Sequence, residues 1–277
     1  DLIVLDVGGA TTDLHSVATE SDKIARLMIS PEPKAKRTVE GDLGVYVNRM
    51  KVIESIGEEK LREECKAMGV DFDEVLASYV AIPKNEAEIK FVERLTTEAV
   101  LKATERHAGY LRYIYGPSGR STLAEGKDLT QVKYIIGTGG ALTRLPHRVD
   151  IMKKIAPYNE SGMLLFPSEH ARILVDNDYI MASLGVLSTR YRDAAIKLLE
   201  KSLDFKFPEK KDEKFASAAV ALKEAELAVE EKDHAEEERR EHIRQMEKLG
   251  YDMSAYKKDD PTSNGDDEGV KGKWTEK

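Results

Sequence analysis

Cysteine is all but missing: Cys65 stands alone in 277 residues. A single thiol cannot close an intramolecular disulfide, and it cannot build a zinc or iron–sulfur site that needs several cysteines of one chain. No apolar run reaches the ~18–20 residues that span a bilayer. A leader pattern of basic start, apolar centre and small-residue cleavage site is absent as well. A basic excess is also lacking, since 43 Lys and Arg face 51 Asp and Glu, a net charge of −8. Nucleic acid and membrane are therefore not expected among the partners, although a local basic pocket for phosphate is still allowed. The six histidines show no metal-ligand spacing such as HExxH. The expectation is a cytoplasmic protein. It opens on Asp1 inside an apolar run, which reads as a piece of a longer chain.

What is there divides unevenly. The stretch 204–277 holds 15 basic and 21 acidic residues, whereas 1–203 holds 28 and 30 together with the apolar runs and the glycine motifs. Residues 2–6 read as a buried strand feeding a turn. Residues 14–19 and 24–30 read as two more strands, stopped by Pro31 and Pro33. Helices are expected over 43–55, 58–68, 71–81 and within 85–115, then a polar loop over 117–126. A strand over 132–136 leads into a helix from Ala141. Short strands follow near 163–166 and 173–175, and a helical stretch over 179–202. Strands alternating with helices predict an α/β lobe. Residues 204–250 should be a charged helical extension laced with i,i+4 pairs, and 251–277 a disordered tail.

Two motifs carry chemistry. The first is DVGGATTD, residues 6–13, directly after the buried strand. Glycines allow close backbone approach, and successive N–H groups in such a turn cradle an anion. Gly8, Gly9, Ala10, Thr11 and Thr12 are the candidate phosphate cradle. Asp6 is the candidate catalytic residue, orienting water or holding Mg2+ through water, with Asp13 as its second carboxylate. A plain hairpin needs a turn glycine, but not an Asp before the pair and two Thr after it. The second motif is GTGG, residues 137–140, where a strand runs into a helix. Gly137, Thr138, Gly139 and Gly140 suit a nucleotide's adenosine or phosphates. Taken singly this is weak, because the third glycine of a dinucleotide fingerprint would fall at Leu142. The segment YGPSGRST, residues 115–122, only imitates a P-loop: two residues, not four, separate its glycines, and Arg replaces Lys.

In this order, with VEGDLG at 39–44 and DNDYIMASLGV at 176–186, the chain resembles the superfamily of actin, heat-shock chaperone and sugar-kinase ATPases. More narrowly it resembles the glutamate-mutase accessory proteins of GlmL or MutL type, unrelated to the mismatch-repair protein. The likeness covers about 1–203. It implies an actin-like (ribonuclease H-like) lobe with mixed sheet and flanking helices, and ATP with Mg2+ as ligands. It further implies a chaperone-like action on an adenosylcobalamin-dependent mutase, with release of damaged cofactor. The first phosphate motif of that superfamily does not occur here, so the chain is expected to carry half of the ATP site. By the same likeness Glu105, or its neighbour Arg106, is placed to contact ribose or adenine. Two other functions stay open: a small-molecule kinase of the same superfamily, and a non-enzymatic assembly factor acting through its charged helix.

Overall fold

The structure is a computed structural model, and the residues it describes are 1–117 and 119–208. In chain order the elements are β1 (Leu2–Val7), β2 (Thr12–Val17), α1 (Asp22–Ala25), β3 (Ala35–Glu40), α2 (Arg49–Ile56), α3 (Glu58–Ala67), α4 (Phe72–Ala77) and α5 (Glu86–His107). Then come β4 (Tyr110–Gly116), β5 (Gly119–Glu125), β6 (Tyr134–Thr138), α6 (Gly139–Arg144), α7 (Arg148–Lys153), α8 (Ile155–Tyr158), β7 (Arg172–Val175), α9 (Met181–Leu187) and α10 (Arg192–Ser202).

Five strands form one mixed sheet in the order β3-β2-β1-β6-β7. β1 pairs antiparallel with β2, which pairs antiparallel with β3, while β1, β6 and β7 run parallel. The α/β lobe with mixed sheet and flanking helices is therefore as expected. The alternation in β1 explains its two faces: Ile3, Leu5 and Val7 are fully buried, and Val4 and Asp6 turn the other way. The first set packs with Phe91, Leu95, Ala99 and Val100 of α5. Burying each such side chain is worth roughly 1.5–3 kcal/mol, so this face anchors the lobe. On the opposite face Val4, Tyr134, Ile136 and Leu174 meet Leu199, Leu203, Phe205 and Phe207. β6, covered on both faces, is correspondingly a nearly unbroken apolar run.

Among the described residues α5 is the longest element, at 22 residues. Its start is a reciprocal cap: Asn85 accepts from the Glu88 N–H, and the Glu88 carboxylate accepts from the Lys84 N–H and the Asn85 amide.

Several expectations are corrected. The helix expected over 43–55 begins only at Arg49, and of the strand expected near 163–166 only an isolated bridge at Leu164 forms. Residues 24–30 are not a strand. Ser21 caps the short helix α1 there, and the third strand lies beyond the prolines at Ala35–Glu40. Within 85–115 the expected long helix runs over Glu86–His107; the stretch expected as a polar loop over 117–126 is instead mostly strand β5, paired with β4. Helix 179–202 is broken between Leu187 and Arg192 into α9 and α10. After Ser202 the chain runs on without helix to 208. The expected charged helix and tail beyond 208 lie outside the described residues. Among the described residues, no helix is long and apolar enough to cross a membrane.

Candidate functional site

The turn between β1 and β2 is held from one side by a single segment. Val45 N–H donates to the Gly8 carbonyl (3.2 Å), and Tyr46 and Val47 N–H donate to that of Gly9 (2.9 and 2.7 Å). The Asn48 amide donates to the carbonyls of Ala10 and Gly41, both at 2.7 Å. In a trans peptide the N–H points opposite to the carbonyl. Fixing the carbonyls of Gly8, Gly9 and Ala10 therefore turns the N–H groups of Gly9, Ala10 and Thr11 to the far side. There they meet no acceptor among the described residues. Three outward N–H groups on a short turn are the donor set an anion needs.

Gly44 makes this clamp possible. A Cβ at that position would sit 2.2 Å from the Ala10 carbonyl carbon, so only glycine lets the two backbones approach. Thr12 belongs to the clamp, not to the cradle. Its hydroxyl is fully buried and donates to the Leu43 carbonyl at 2.8 Å.

Asp6 and Asp13 face one another across the β1–β2 pair. Asp13 is engaged: Arg37 donates to one oxygen at 2.7 Å, and the Thr11 hydroxyl donates to the other at 3.1 Å. The Asp6 carboxylate has no hydrogen-bond partner among the described residues. Burial and then the Asp13 charge push its pKa above the ordinary range. Such a carboxylate favours a nearby cation, which relieves both effects. Among the described residues no three His, Cys, Asp or Glu gather as a metal cage. Mg2+ held largely by water needs only one or two carboxylates.

The second turn packs against the first. Gly139 has φ +83°, and a Cβ there would lie 2.4 Å from Asp6 Oδ1 and 2.6 Å from the Val7 backbone. The conformation and the space both require glycine. Gly137 is buried in β6 against Met152, where a Cβ would come within 2.7 Å of its sulfur. Gly140 differs: nothing lies within 4 Å of where its Cβ would be. It lines a cavity of about 480 Å3 together with Gly9, Val45, Tyr46, Tyr79 and Val92. Most of that lining is apolar, with Arg144 at its edge. Tyr179, another wall residue, holds the unusual φ of +55° for a side chain of its size. Thus Gly9 of the first motif and Gly140 of the second open on one space.

The family model described as "MutL protein" matches residues 1–203. The chain belongs to the MutL protein family. A curated relative, Protein MutL of Clostridium tetanomorphum, is 37% identical over 210 residues, covering 73% of this chain and 45% of the relative. The chain thus spans less than half the length of that MutL relative. No solved structure matches.

In this MutL-family lobe the remaining sequence-derived candidates have other tasks. The Thr138 hydroxyl donates to Asp176 at 3.0 Å and is buried. Glu105 is not at the cavity: it contacts Lys102 and Tyr158. Ile89 and Val92 are the α5 residues that reach the lining, and Glu105 lies about 24 Å further along the helix axis than Ile89, at ~1.5 Å per residue. Arg106 is bound to Glu40 and Asp42.

Sequence reasoning missed Asp176, at the end of β7 and fully buried. Burial alone would raise its pKa. Hydrogen bonds from Ser202, the Met181 and Ile180 N–H groups and Thr138 outweigh that and hold it below the ordinary range. It ties the second turn to the start of α9. The signal was the DNDYIMASLGV segment of the family resemblance, whose first residue is Asp176. His107 is a further buried group, paired with Thr38 at 2.9 Å and Ser16 at 2.8 Å. Burial holds its pKa down at about 3. It imitates a Ser–His dyad but is fully sealed from solvent, so it serves as a pin between α5 and the sheet.

Proposed function

We propose that this chain forms one lobe of an actin-like ATP cleft, and that the complete protein acts as an ATP-driven accessory factor for an adenosylcobalamin-dependent mutase. One observation carries the reading: both glycine motifs open on a single apolar cavity, with an unpartnered carboxylate beside them. An apolar space of about 480 Å3 with a few polar groups suits an adenosine. The N–H groups of Gly9, Ala10 and Thr11 suit its phosphates, and Gly140 lets the nucleotide approach the backbone. Asp6 would hold Mg2+ through its waters, and the ion would neutralise charge on the phosphates. Asp13 positions Thr11 through its hydroxyl. The second lobe of the cleft would come from sequence outside this chain.

The family membership favours a protein partner over a metabolite. A cleft with open and closed states can act on a mutase if each state binds the mutase differently, because ATP shifts such an equilibrium only by its differential affinity. Release of damaged cobalamin is the proposed outcome of that shift.

The decisive measurement follows the γ-phosphate of Mg-ATP in the full-length protein, with and without inactivated mutase. Free phosphate released faster with the mutase is the expected result. Phosphate appearing on a small metabolite overturns the reading in favour of a kinase. The matching variant is Gly140→Leu, which fills the cavity from a position with free space. It should fold normally and lose Mg-ATP binding; retained binding would remove this cavity from the site.

A further inference from the structure

Arg106 was the charged residue flagged at the end of α5, and the cavity does not use it. Its guanidinium instead forks onto Asp42, with Nη1 and Nη2 at 2.7 and 2.8 Å from the two carboxylate oxygens, while Nη1 also reaches Glu40 at 2.7 Å. Both carboxylates belong to the stretch that ends β3 and enters the clamp. Immediately after Asp42 come Leu43, whose carbonyl receives Thr12, and Gly44, pressed against Ala10. Val45, Tyr46 and Val47 follow, and their N–H groups fix the turn carbonyls. Arg106 therefore ties the long helix α5 to the start of the segment that aims the turn.

We propose that Arg106 is a positioning residue for the phosphate turn, acting through Asp42 and Glu40 on the 43–48 clamp. The proposal rests on reading that turn as the phosphate cradle. The Arg106 side chain is 40% exposed and that of Asp42 is 45% exposed. Ion pairs this open add little to global stability. Bidentate geometry nevertheless fixes direction, which a single point charge does not. Loss of Arg106 should thus slacken the clamp while the core stays folded. The phosphate half of a nucleotide should feel this more than the adenosine half: Val45 and Tyr46 do reach the cavity, but the rest of its lining, including the Ile89 and Val92 wall of α5, does not depend on the clamp.

The test compares the full chain with Arg106→Ala and Arg106→Lys. Amide exchange is read at Val45, Tyr46 and Val47, and binding of Mg-ATP and of adenosine by calorimetry. In Arg106→Ala, exchange at those three amides should rise about tenfold. Mg-ATP should bind roughly tenfold more weakly, with adenosine changed less than about twofold. Arg106→Lys should recover part of both effects, since it restores one charge without the fork. Unchanged exchange at the three amides overturns the proposal, even if the chain binds no nucleotide. Equal loss for adenosine and Mg-ATP, with a large drop in melting temperature, makes Arg106 merely structural and also overturns it. A wild-type chain that binds neither ligand refutes the nucleotide reading, and the exchange data still decide the positioning role.

Discussion

The ends of β1 and β7 flank β6 and present two aspartates in opposite conditions. Asp176 is sealed, accepts four hydrogen bonds and has a lowered pKa. Asp6 is half-buried, faces another carboxylate and has a raised pKa. The same contrast holds for the glycines beside them. Gly137 and Gly139 are fixed by packing, whereas Gly9 and Gly140 open onto the cavity. One side of the site is a joint and the other a receptacle. A carboxylate left without partners in a folded lobe costs stability, and this is why the proposed nucleotide site is assigned to that side.

Gly139→Ala breaks the joint most severely. It combines a left-handed backbone angle with overlap on Val7 and Asp6, and it should cost about 4 kcal/mol or abolish folding. Chemical denaturation measures this, and a loss below about 1 kcal/mol would show that the joint yields. Asp176→Asn comes next, at about 3 kcal/mol, because hydrogen bonds to a charged group are lost in a buried place. Acid should reproduce part of the effect. Asp176 titrates lower in the folded chain, so its contribution is complete above roughly pH 4 and is lost below it. His107 acts earlier. Folded, it resists protonation down to about pH 3; unfolded, it takes a proton near pH 6.5. Protons therefore favour the unfolded chain throughout that interval, and stability should begin to fall below about pH 6.5. In His107→Gln the fall between about pH 6.5 and 4 should flatten.

Asp6→Asn gives the smallest effect on stability and the sharpest contrast. Removing a disfavoured charge should leave the melting temperature unchanged or raise it by about 2 °C, while Mg2+-dependent nucleotide binding fails. A clear loss of stability in Asp6→Asn would erase the distinction between the two aspartates.

Much of the site was legible because its motifs sit on buried strands with strong patterns. Leu2–Val7 and Tyr134–Thr138 alternate or run apolar as their burial requires. β3 was not legible. It is an edge strand, AKRTVE, with half-exposed and exposed positions only, so it carries no apolar period. The β4–β5 hairpin hid for a similar reason, since most of its residues are exposed and no buried period marks it. Glu105 lies away from the cavity, since a position on a long helix does not say which end of it lines a pocket. Thr12 and Thr138 share their motifs with the cavity-lining Gly9 and Gly140, yet their own side chains turn inward. Asp176 needed the spatial meeting of the end of β7 with Ser202 of α10, 26 residues on, and Thr138 of β6, 38 residues back.

The β4–β5 hairpin touches the rest of the lobe at its root, through the bridges Met28↔Ala124 and Tyr110↔Leu164. Beyond the root it carries Tyr113, Ile114 and Tyr115 in the open. It is thus a natural splice point. A fluorophore or affinity tag inserted between its strands would ride on the molecule without entering the cavity or the clamp, and would report from outside on how the lobe moves.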